Sequence, residues 1–144
     1  MQYYIRAAAE KDAESVQHFI SLLEETSFDA AAFASIYLEN ICNKNFIYLV
    51  AVLPEEKVIG FISCHTQKLL HHCGIVAEIQ ELYVDETYRS LSIGKALVNT
   101  VEEKLKLINC LSFEVTAQNK REQTHQFYQR MGFANSHKKF VKQL

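Results

Sequence analysis

The sequence predicts one domain of the α+β or mixed α/β class, built around a single sheet. Apolar residues switch along the chain between the alternating spacing of strands and the three-and-four spacing of amphipathic helices. These switches give the order β-α-α-β-β-β-α-β-α-β, and no internal repeat or flexible linker divides residues 1–144. We therefore expect a single domain that spans the whole chain.

Residues 1–84 are predicted to form four strands and two helices. The strands are residues 3–7, 46–53, 57–64 and 75–84, and the second and third form a hairpin around Pro54-Glu55-Glu56. Both helices lie between the first and second strands. Asp12 and Asp29 are expected to cap them, because an aspartate side chain accepts hydrogen bonds from the free N–H groups of a first helical turn.

The rest of the chain is predicted to form two helices and two strands. One helix begins at Ile93 and continues to about Asn109, and residues 111–115 form a strand. The second helix, residues 121–131, ends at Gly132, and residues 133–141 are expected to form the last strand.

Composition excludes several classes of protein. Hydrophobic residues make up 49% and charged residues 22% of the chain, which is typical of a globular domain with its own core. The net charge of −2 argues against nucleic acid or an anionic membrane as a partner. No apolar stretch approaches the roughly 20 residues that span a bilayer. The first residues lack the pattern of an export signal, so we expect a cytoplasmic protein.

A strand, a short loop and a helix start follow one another over residues 81–96. The first N–H groups of a helix have no intrahelical partner, and the helix dipole favours negative charge there. Arg89 adds a cation, and small residues let a bulky anion approach this backbone; they are Ser90, Ser92, Gly94 and Ala96. The pattern predicts a phosphate or pyrophosphate on the amides of residues 91–96, with an ordinary helix start as the alternative.

The same segment resembles the loop of the GNAT superfamily of acyl-CoA-dependent N-acetyltransferases. That loop is Arg/Gln-x-x-Gly-x-Gly/Ala; this sequence matches it at Arg89 and Gly94, with Ser92 in place of the first glycine. Residues 127–133 match a second family motif, Phe-Tyr-x-x-x-Gly-Phe, and residues 5–12 are typical of the family's amino terminus. The resemblance covers essentially the whole chain. It implies the GNAT fold, with a single central, mostly antiparallel sheet flanked by helices.

Shorter segments are similar to the bacterial branch of this superfamily that acetylates aminoalkylphosphonates. They are Leu70-His71-His72, Glu78-Ile79-Gln80-Glu81-Leu82, Lys120-Arg121, His125-x-Phe127-Tyr128 and Ser136-His137. This similarity implies an acceptor amine that carries an anionic group, and a divalent metal as a further cofactor. Arg121, Lys138 and Lys139 are candidates to receive the anionic group, with ordinary surface charges as the alternative.

The resemblance also implies acetyl-CoA as co-substrate. The backbone of Tyr83 and Val84 is expected to pair with the pantetheine arm, as an added strand would. The cofactor-binding residues implied in this way are Leu82, Tyr83, Val84, Arg89, Ser90, Leu91, Ser92, Ile93, Gly94, Lys95, Ala96, Asn119, Phe127 and Tyr128.

Three residues are candidates for catalysis. By resemblance, Tyr128 lies near the sulfur of the co-substrate, where its hydroxyl can protonate the leaving thiolate as a general acid; a core tyrosine is the alternative. Glu78 and Glu81 are candidates for the base that deprotonates the amine, and at most one of them has that role. In a regular strand they would face opposite sides, but the resemblance implies a bulge that can alter this.

Histidines and a carboxylate are candidates for a metal site. His71, His72, Glu78 and His137 belong to the residue types that bind divalent metals, although hydrogen bonding or a solvated loop also accounts for the histidines.

Together these features predict an N-acetyltransferase that moves the acetyl group of acetyl-CoA to the primary amine of a small molecule, by direct attack in a ternary complex. The alternative acceptors are another small amine, an antibiotic or a protein N-terminus. A non-catalytic acyl-CoA-binding module is the alternative outside enzymes. The resemblance makes a homodimer a possible assembly.

Overall fold

The computed structural model describes residues 1–144 and contains five strands and four α-helices. The strands are β1 (Tyr4–Ala7), β2 (Phe46–Val52), β3 (Val58–Leu69), β4 (Gly74–Val84) and β5 (Ser112–Val115). The helices are α1 (Ala13–Glu24), α2 (Ala30–Ile41), α3 (Ile93–Leu107) and α4 (Glu122–Arg130). None of the four helices has the length and apolar character that a membrane crossing requires.

All five strands form one sheet, in the order β1-β2-β3-β4-β5. Neighbouring strands are antiparallel from β1 to β4. β5 pairs parallel with β4, because α3 returns the chain to the end of the sheet where β4 began. The predicted mixed α/β class and mostly antiparallel sheet are therefore confirmed.

Helices cover both faces of the sheet and create two cores. Successive residues of β2 enter different cores, since side chains alternate along a strand. Leu49 and Ala51 pack in the core that holds α3 and Tyr128 of α4, whereas Val50 and Val52 pack in the core that holds α1 and α2.

β4 and β5 separate halfway along β4. Their pairing runs from Val76 opposite Ser112 to Ile79 opposite Val115, and residues 80–84 continue along β3 with no partner strand on their other side. A short 3-10 helix (Glu86–Leu91) then leads into α3. The separation leaves an opening between β4 and the segment that follows β5.

The predicted last strand, residues 133–141, does not form. The last backbone hydrogen bond of the chain runs from Phe133 N–H to the Tyr128 carbonyl, at 3.0 Å. Beyond it, Phe140 and Val141 are adjacent, so in a strand they would point to opposite faces and could not build one apolar face. Both stay exposed, at 91% and 68%. The segment has too little apolar surface on either face to pack as a sixth strand.

The two predicted helix caps have different outcomes. Asp29 caps α2 by accepting a hydrogen bond from Ala32 N–H at 2.8 Å. Asp12 makes no cap hydrogen bond to α1. Its buried carboxylate instead accepts two hydrogen bonds from Arg6, at 2.7 and 2.9 Å, because this pairing neutralises the charge away from water.

Candidate active site

The opening beside β4 leads into a cleft of about 1230 Å³. The cleft is lined by the end of α1, residues 78–84 of β4, the start of α3, the last residue of β5 with residues 116–118 after it, and α4. Most of the residues implied by the resemblance line it, namely Glu78, Glu81, Leu82, Tyr83, Val84, Arg89, Ser90, Ser92, Gly94, Lys95, Phe127 and Tyr128. Four others, Leu91, Ile93, Ala96 and Asn119, lie outside the lining.

A bulge in β4 sets the direction of both candidate glutamates. Ser63 pairs with Glu81 but Cys64 pairs with Ile79, so Gln80 is an extra residue with no partner on β3. Glu78 is opposite His65, two positions from Ser63, and residues two apart share a face of a strand. Glu78 and Glu81 therefore point to the same face, and the opposite orientation of a regular strand does not apply.

Glu81 is held at the bulge by Ser63. The Ser63 hydroxyl donates a hydrogen bond to Oε1 of Glu81 and accepts one from Glu81 N–H at 3.0 Å. Burial raises the pKa of the Glu81 carboxyl; the Ser63 hydrogen bond opposes this rise and the charge of Glu24 adds to it. Oε2 accepts no hydrogen bond from within the chain. Because every buried side-chain polar atom of the protein has a hydrogen-bond partner, Oε2 is not buried, and it is exposed to the cleft that Glu81 lines.

Glu78 lies where β4 and β5 begin to separate, and its carboxylate is engaged within the chain. Oε2 accepts a hydrogen bond from Thr116 Oγ1 at 3.0 Å, and Oε1 accepts one from Gln80 Nε2 at 3.3 Å. Both oxygens of Glu78 thus have partners, whereas one oxygen of Glu81 is free. This difference favours Glu81 as the carboxylate available to a substrate.

Tyr128 reaches the cleft from α4. Its ring packs against Phe127 and Phe133, with centroid separations of 5.1 and 5.5 Å. Burial raises the pKa of the Tyr128 hydroxyl to about 12, so the group stays protonated at neutral pH. The hydroxyl has no hydrogen-bond partner within the chain. Because every buried side-chain polar atom has one, the hydroxyl is not buried, and it is exposed to the cleft as a donor.

The start of α3 has the geometry expected of an anion site. The first hydrogen bond into the helix runs from Ala96 N–H to the Ser92 carbonyl at 3.0 Å, which leaves the N–H groups of residues 93–95 free. Ser92 takes a left-handed conformation with φ of 59°, which glycine adopts without strain. A Cβ on Gly94 would lie 3.6 Å from the Phe127 ring and 3.7 Å from Val84. The backbone is thus open where the family loop has its glycines.

Arg89 adds a fixed cation at the end of β4. Its Nε donates to the Val84 carbonyl at 2.9 Å, and its guanidinium lies 5.1 Å from the centre of the Tyr83 ring. Both contacts hold the positive charge in the cleft that also contains the free N–H groups of α3.

Two side chains that contact the candidate glutamates were not indicated by the sequence. Ser63 binds Glu81 and Thr116 binds Glu78, although neither belongs to a motif. Ser63 contacts Glu81 across β3 and β4, and Thr116, which follows β5, contacts Glu78 of β4. Both contacts therefore depend on the register in which these strands pair. Aligning β3 with β4 across one extra residue at Gln80 would have placed Ser63 opposite Glu81.

The four metal candidates are not brought together. His71 and His72 lie in a short 3-10 helix (Leu70–His72) between β3 and β4, and His137 hydrogen-bonds Ser136 in the C-terminal segment. No group of three or more His, Cys, Asp or Glu side chains is arranged to hold a metal ion. The expected divalent-metal site is therefore not formed by these residues, because the β3–β4 connection and the C-terminal segment place the histidines apart from Glu78.

Comparison with known proteins identifies the family. Residues 4–133 match the model of the acetyltransferase (GNAT) family, so the chain belongs to that family, whose members use acetyl-CoA as co-substrate. The chain is 35% identical over 140 residues to an aminoalkylphosphonate N-acetyltransferase of Salmonella typhimurium. That alignment covers 97% of this chain and 90% of the relative.

Solved structures show the same fold. A transcriptional regulator of Bacillus halodurans is similar with a TM-score of 0.91 and 22% identity, over 99% of this chain and 100% of that chain. An aminoglycoside antibiotic 6'-N-acetyltransferase of Acinetobacter baumannii has a TM-score of 0.83 and 19% identity, over 99% of both chains.

Proposed function

We propose that this GNAT acetyltransferase moves the acetyl group of acetyl-CoA to the primary amine of a small molecule that carries an anionic group, by direct attack in a ternary complex. The observation that carries the proposal is the shared cleft. The free Oε2 of Glu81, the free hydroxyl of Tyr128 and the free N–H groups of Gly94 and Lys95 all belong to it.

Glu81 is the base of the proposed reaction. An ammonium group cannot attack a thioester until it loses a proton, and Oε2 of Glu81 accepts that proton. The raised pKa of Glu81 suits this role, because a base works best when its pKa lies nearer the working pH. The amine nitrogen then forms a bond to the acetyl carbon and loses a second proton as the amide forms, and this proton replaces the one that Tyr128 gives to sulfur.

Tyr128 assists the departure of the thiolate. As the carbon–sulfur bond breaks, the electron pair moves to sulfur, and the protonated hydroxyl of Tyr128 donates a hydrogen bond and then its proton to it. Holding the amine and the thioester in one cleft also removes much of the entropy cost of their encounter.

The co-substrate is proposed to lie along β4 and against α3. Residues 82–84 have no partner strand on one side, and that edge fits the amide groups of a pantetheine arm; Arg89 occupies one of its acceptors, the Val84 carbonyl. The N–H groups of residues 93–95 and the guanidinium of Arg89 suit the negative charge of a pyrophosphate.

Cations in the cleft support an anionic acceptor. Lys120, Arg121 and Lys139 line the same cleft as Glu81, and a guanidinium pairs well with phosphonate or phosphate oxygens. The relative from Salmonella typhimurium is named for aminoalkylphosphonates, and its 35% identity supports the same acceptor class here.

The test compares matched acceptors. Acetyl-CoA is incubated with 2-aminoethylphosphonate or with ethylamine, and both free thiol and acetylated amine are measured. We expect kcat/KM to be at least about tenfold higher for the phosphonate, because one charge-assisted contact contributes roughly 1.5–3 kcal/mol. Equal rates would reject the anionic acceptor and retain acetyl transfer. Binding of acetyl-CoA without thiol release on phosphonates, plain amines, aminoglycosides or peptides would instead support a non-catalytic binding module.

A further inference from the structure

Three polar side chains form a row across the centre of the sheet. Tyr48 of β2 pairs with Ser63 of β3, and Ser63 pairs with Glu81 of β4, so all three share the face covered by α1 and α2. Ser63 has no exposed surface, and neither do its neighbours Ile62 and Cys64. A hydroxyl in such surroundings needs a hydrogen-bond partner, and that partner is Glu81.

Ser63 contacts Glu81 in two ways. Its hydroxyl donates to Oε1 of the carboxylate and accepts from the backbone N–H of the same residue, at 3.0 Å. The two hydrogen bonds tie the end of the side chain to the backbone of the bulge. The rotation of the carboxylate is thereby restricted, and Oε2 is the oxygen left towards the cleft.

We propose that Ser63 is a positioning residue for acetyl transfer, which holds Oε1 of Glu81 against the bulge so that Oε2 is aimed at the ammonium group of the acceptor. This inference rests on the proposed role of Glu81 as the base. In the proton transfer, an N–H bond of the ammonium breaks, an O–H bond forms at Oε2, and the electron pair stays on nitrogen. Ser63 keeps its own proton and touches no substrate atom.

The surroundings of Glu81 fix the direction of the expected effects. Glu24 of α1 and Tyr48 of β2 are close enough to interact with its charge. The other charged side chains that line the same cleft are Glu25, Glu78, Arg89, Lys95, Lys120, Arg121, Arg130 and Lys139. Among the side chains, Ser63 is the one that donates a hydrogen bond to the carboxylate of Glu81. Its donation stabilises the ionised form, so removing it raises the pKa of Glu81 further.

The test is the carboxyl titration of Glu81 in the free protein, followed by NMR with ¹³C at the glutamate carboxyl groups. Glu81→Gln identifies the signal by its disappearance. Ser63→Ala is expected to raise the midpoint of the Glu81 titration by about one pH unit, and to raise by the same amount the apparent pKa on the acid side of the pH profile of kcat/KM. It is also expected to lower kcat by about ten- to a hundredfold, because the base is no longer held in place.

Matched variants separate this effect from general damage. Ser112 also donates to a glutamate, Glu114, at 3.1 Å on β5, so Ser112→Ala should leave the titration of Glu81 and the kinetics unchanged. Ser63→Thr retains the hydroxyl and should restore the wild-type midpoint. If Ser63→Ala does not fold, Ser63→Cys has a similar size and a weak donor, and it should shift the midpoint in the same direction.

An unchanged Glu81 midpoint in a folded Ser63→Ala or Ser63→Cys variant would overturn the proposal while Glu81 remained the base. Failure of the proposed function gives a different result. Glu81→Gln would then keep wild-type turnover, which would remove the base role from Glu81 whatever the Ser63 variants did to the titration.

Discussion

Arg121 joins the start of α4 to the end of α1, since its Nη2 donates to the carbonyl of Leu23 at 2.9 Å. Carbonyl groups in the last turn of a helix lack intrahelical partners and form the negative end of the helix dipole, so a cation is favourable there. Glu24 lies 3.8 Å from the same nitrogen. The contact holds a guanidinium in the cleft while its remaining N–H groups stay available to an anion.

Arg121→Gln is expected to weaken the binding of an anionic acceptor but not that of an acceptor without an anionic group. Loss of the charge should raise KM for 2-aminoethylphosphonate by about tenfold or more, because a hydrogen bond to a charged group contributes roughly 1.5–3 kcal/mol. KM for ethylamine and for acetyl-CoA should change little, and Lys142→Gln, outside the cleft lining, serves as the control. Steady-state kinetics with both acceptors measures this. An equal loss on the two amines would contradict the role.

Glu81→Gln is expected to lower activity and to raise stability. Removal of the base should reduce kcat by about 10²–10⁴-fold. The folded state holds Glu81 with a raised pKa, so above that pKa it contains a half-buried carboxylate that the unfolded state solvates fully. The stabilising effect of glutamine should therefore be absent below the unfolded pKa of roughly 4.3 and should grow as the pH rises through the folded pKa.

Thermal unfolding of both proteins between pH 4 and pH 8 measures this dependence. Glu114→Gln, on the exposed side of β5, is the matched control and should show no comparable gain. A Glu81→Gln variant that is less stable than wild type at pH 8 would show that the carboxylate is not costly to bury.

Tyr128→Phe is expected to lower kcat by about a hundredfold, with little change in the KM for acetyl-CoA, because the hydroxyl acts as the carbon–sulfur bond breaks. Since the pKa of Tyr128 is raised to about 12, its ionisation should not limit the wild-type rate between pH 8 and pH 10. A pH–rate profile of both proteins tests this, with Tyr88→Phe, outside the cleft lining, as the control. Full turnover by Tyr128→Phe would remove the acid role.

Gly94→Ala is expected to make the protein more stable and to weaken its binding of acetyl-CoA. A Cβ would have ordinary contacts with Phe127 and Val84, at 3.6 and 3.7 Å, so the helix should gain about 0.5–1 kcal/mol from the higher propensity of alanine. The same methyl group would occupy the cleft beside the free N–H groups, and the KM for acetyl-CoA should rise. Urea unfolding and kinetics measure the two effects; an unchanged KM would place the co-substrate elsewhere.

Ser92→Gly is expected to stabilise the protein by about 1 kcal/mol. A non-glycine residue in the left-handed region has an unfavourable contact of its Cβ with backbone, and φ of Ser92 is 59°. Ser90→Gly is the matched control in the preceding 3-10 helix, where φ is negative, and it should destabilise instead. Urea unfolding of the two variants tests the comparison, and equal effects would contradict it.

The parts of the fold that depend on local spacing could be predicted from the sequence. The apolar spacing of α1 and α3 and the alternation of β2 are properties of short segments, and the structure confirms these elements. The last strand depends instead on whether residues 133–141 find an apolar partner beside β5, which local spacing does not contain.

The candidate site divides in the same way. Motifs in the sequence indicated the start of α3 and Tyr128, and both line the cleft. The contacts of Glu81 could not be predicted, because one extra residue at Gln80 changes which side chain of β3 it meets. The histidines were proposed as metal ligands from their residue type alone, which does not indicate which segments of the chain lie together, and the structure does not group them.

Acetyl transfer by wild type and Glu81→Gln, with equal amounts of folded protein, tests the central claim most directly. Free thiol and acetylated 2-aminoethylphosphonate would be measured together at neutral pH. We predict that wild type forms the two products in equal amounts and that Glu81→Gln forms both at least about a hundredfold more slowly, while still binding acetyl-CoA. Equal rates for the two proteins would contradict the account of Glu81 as the base.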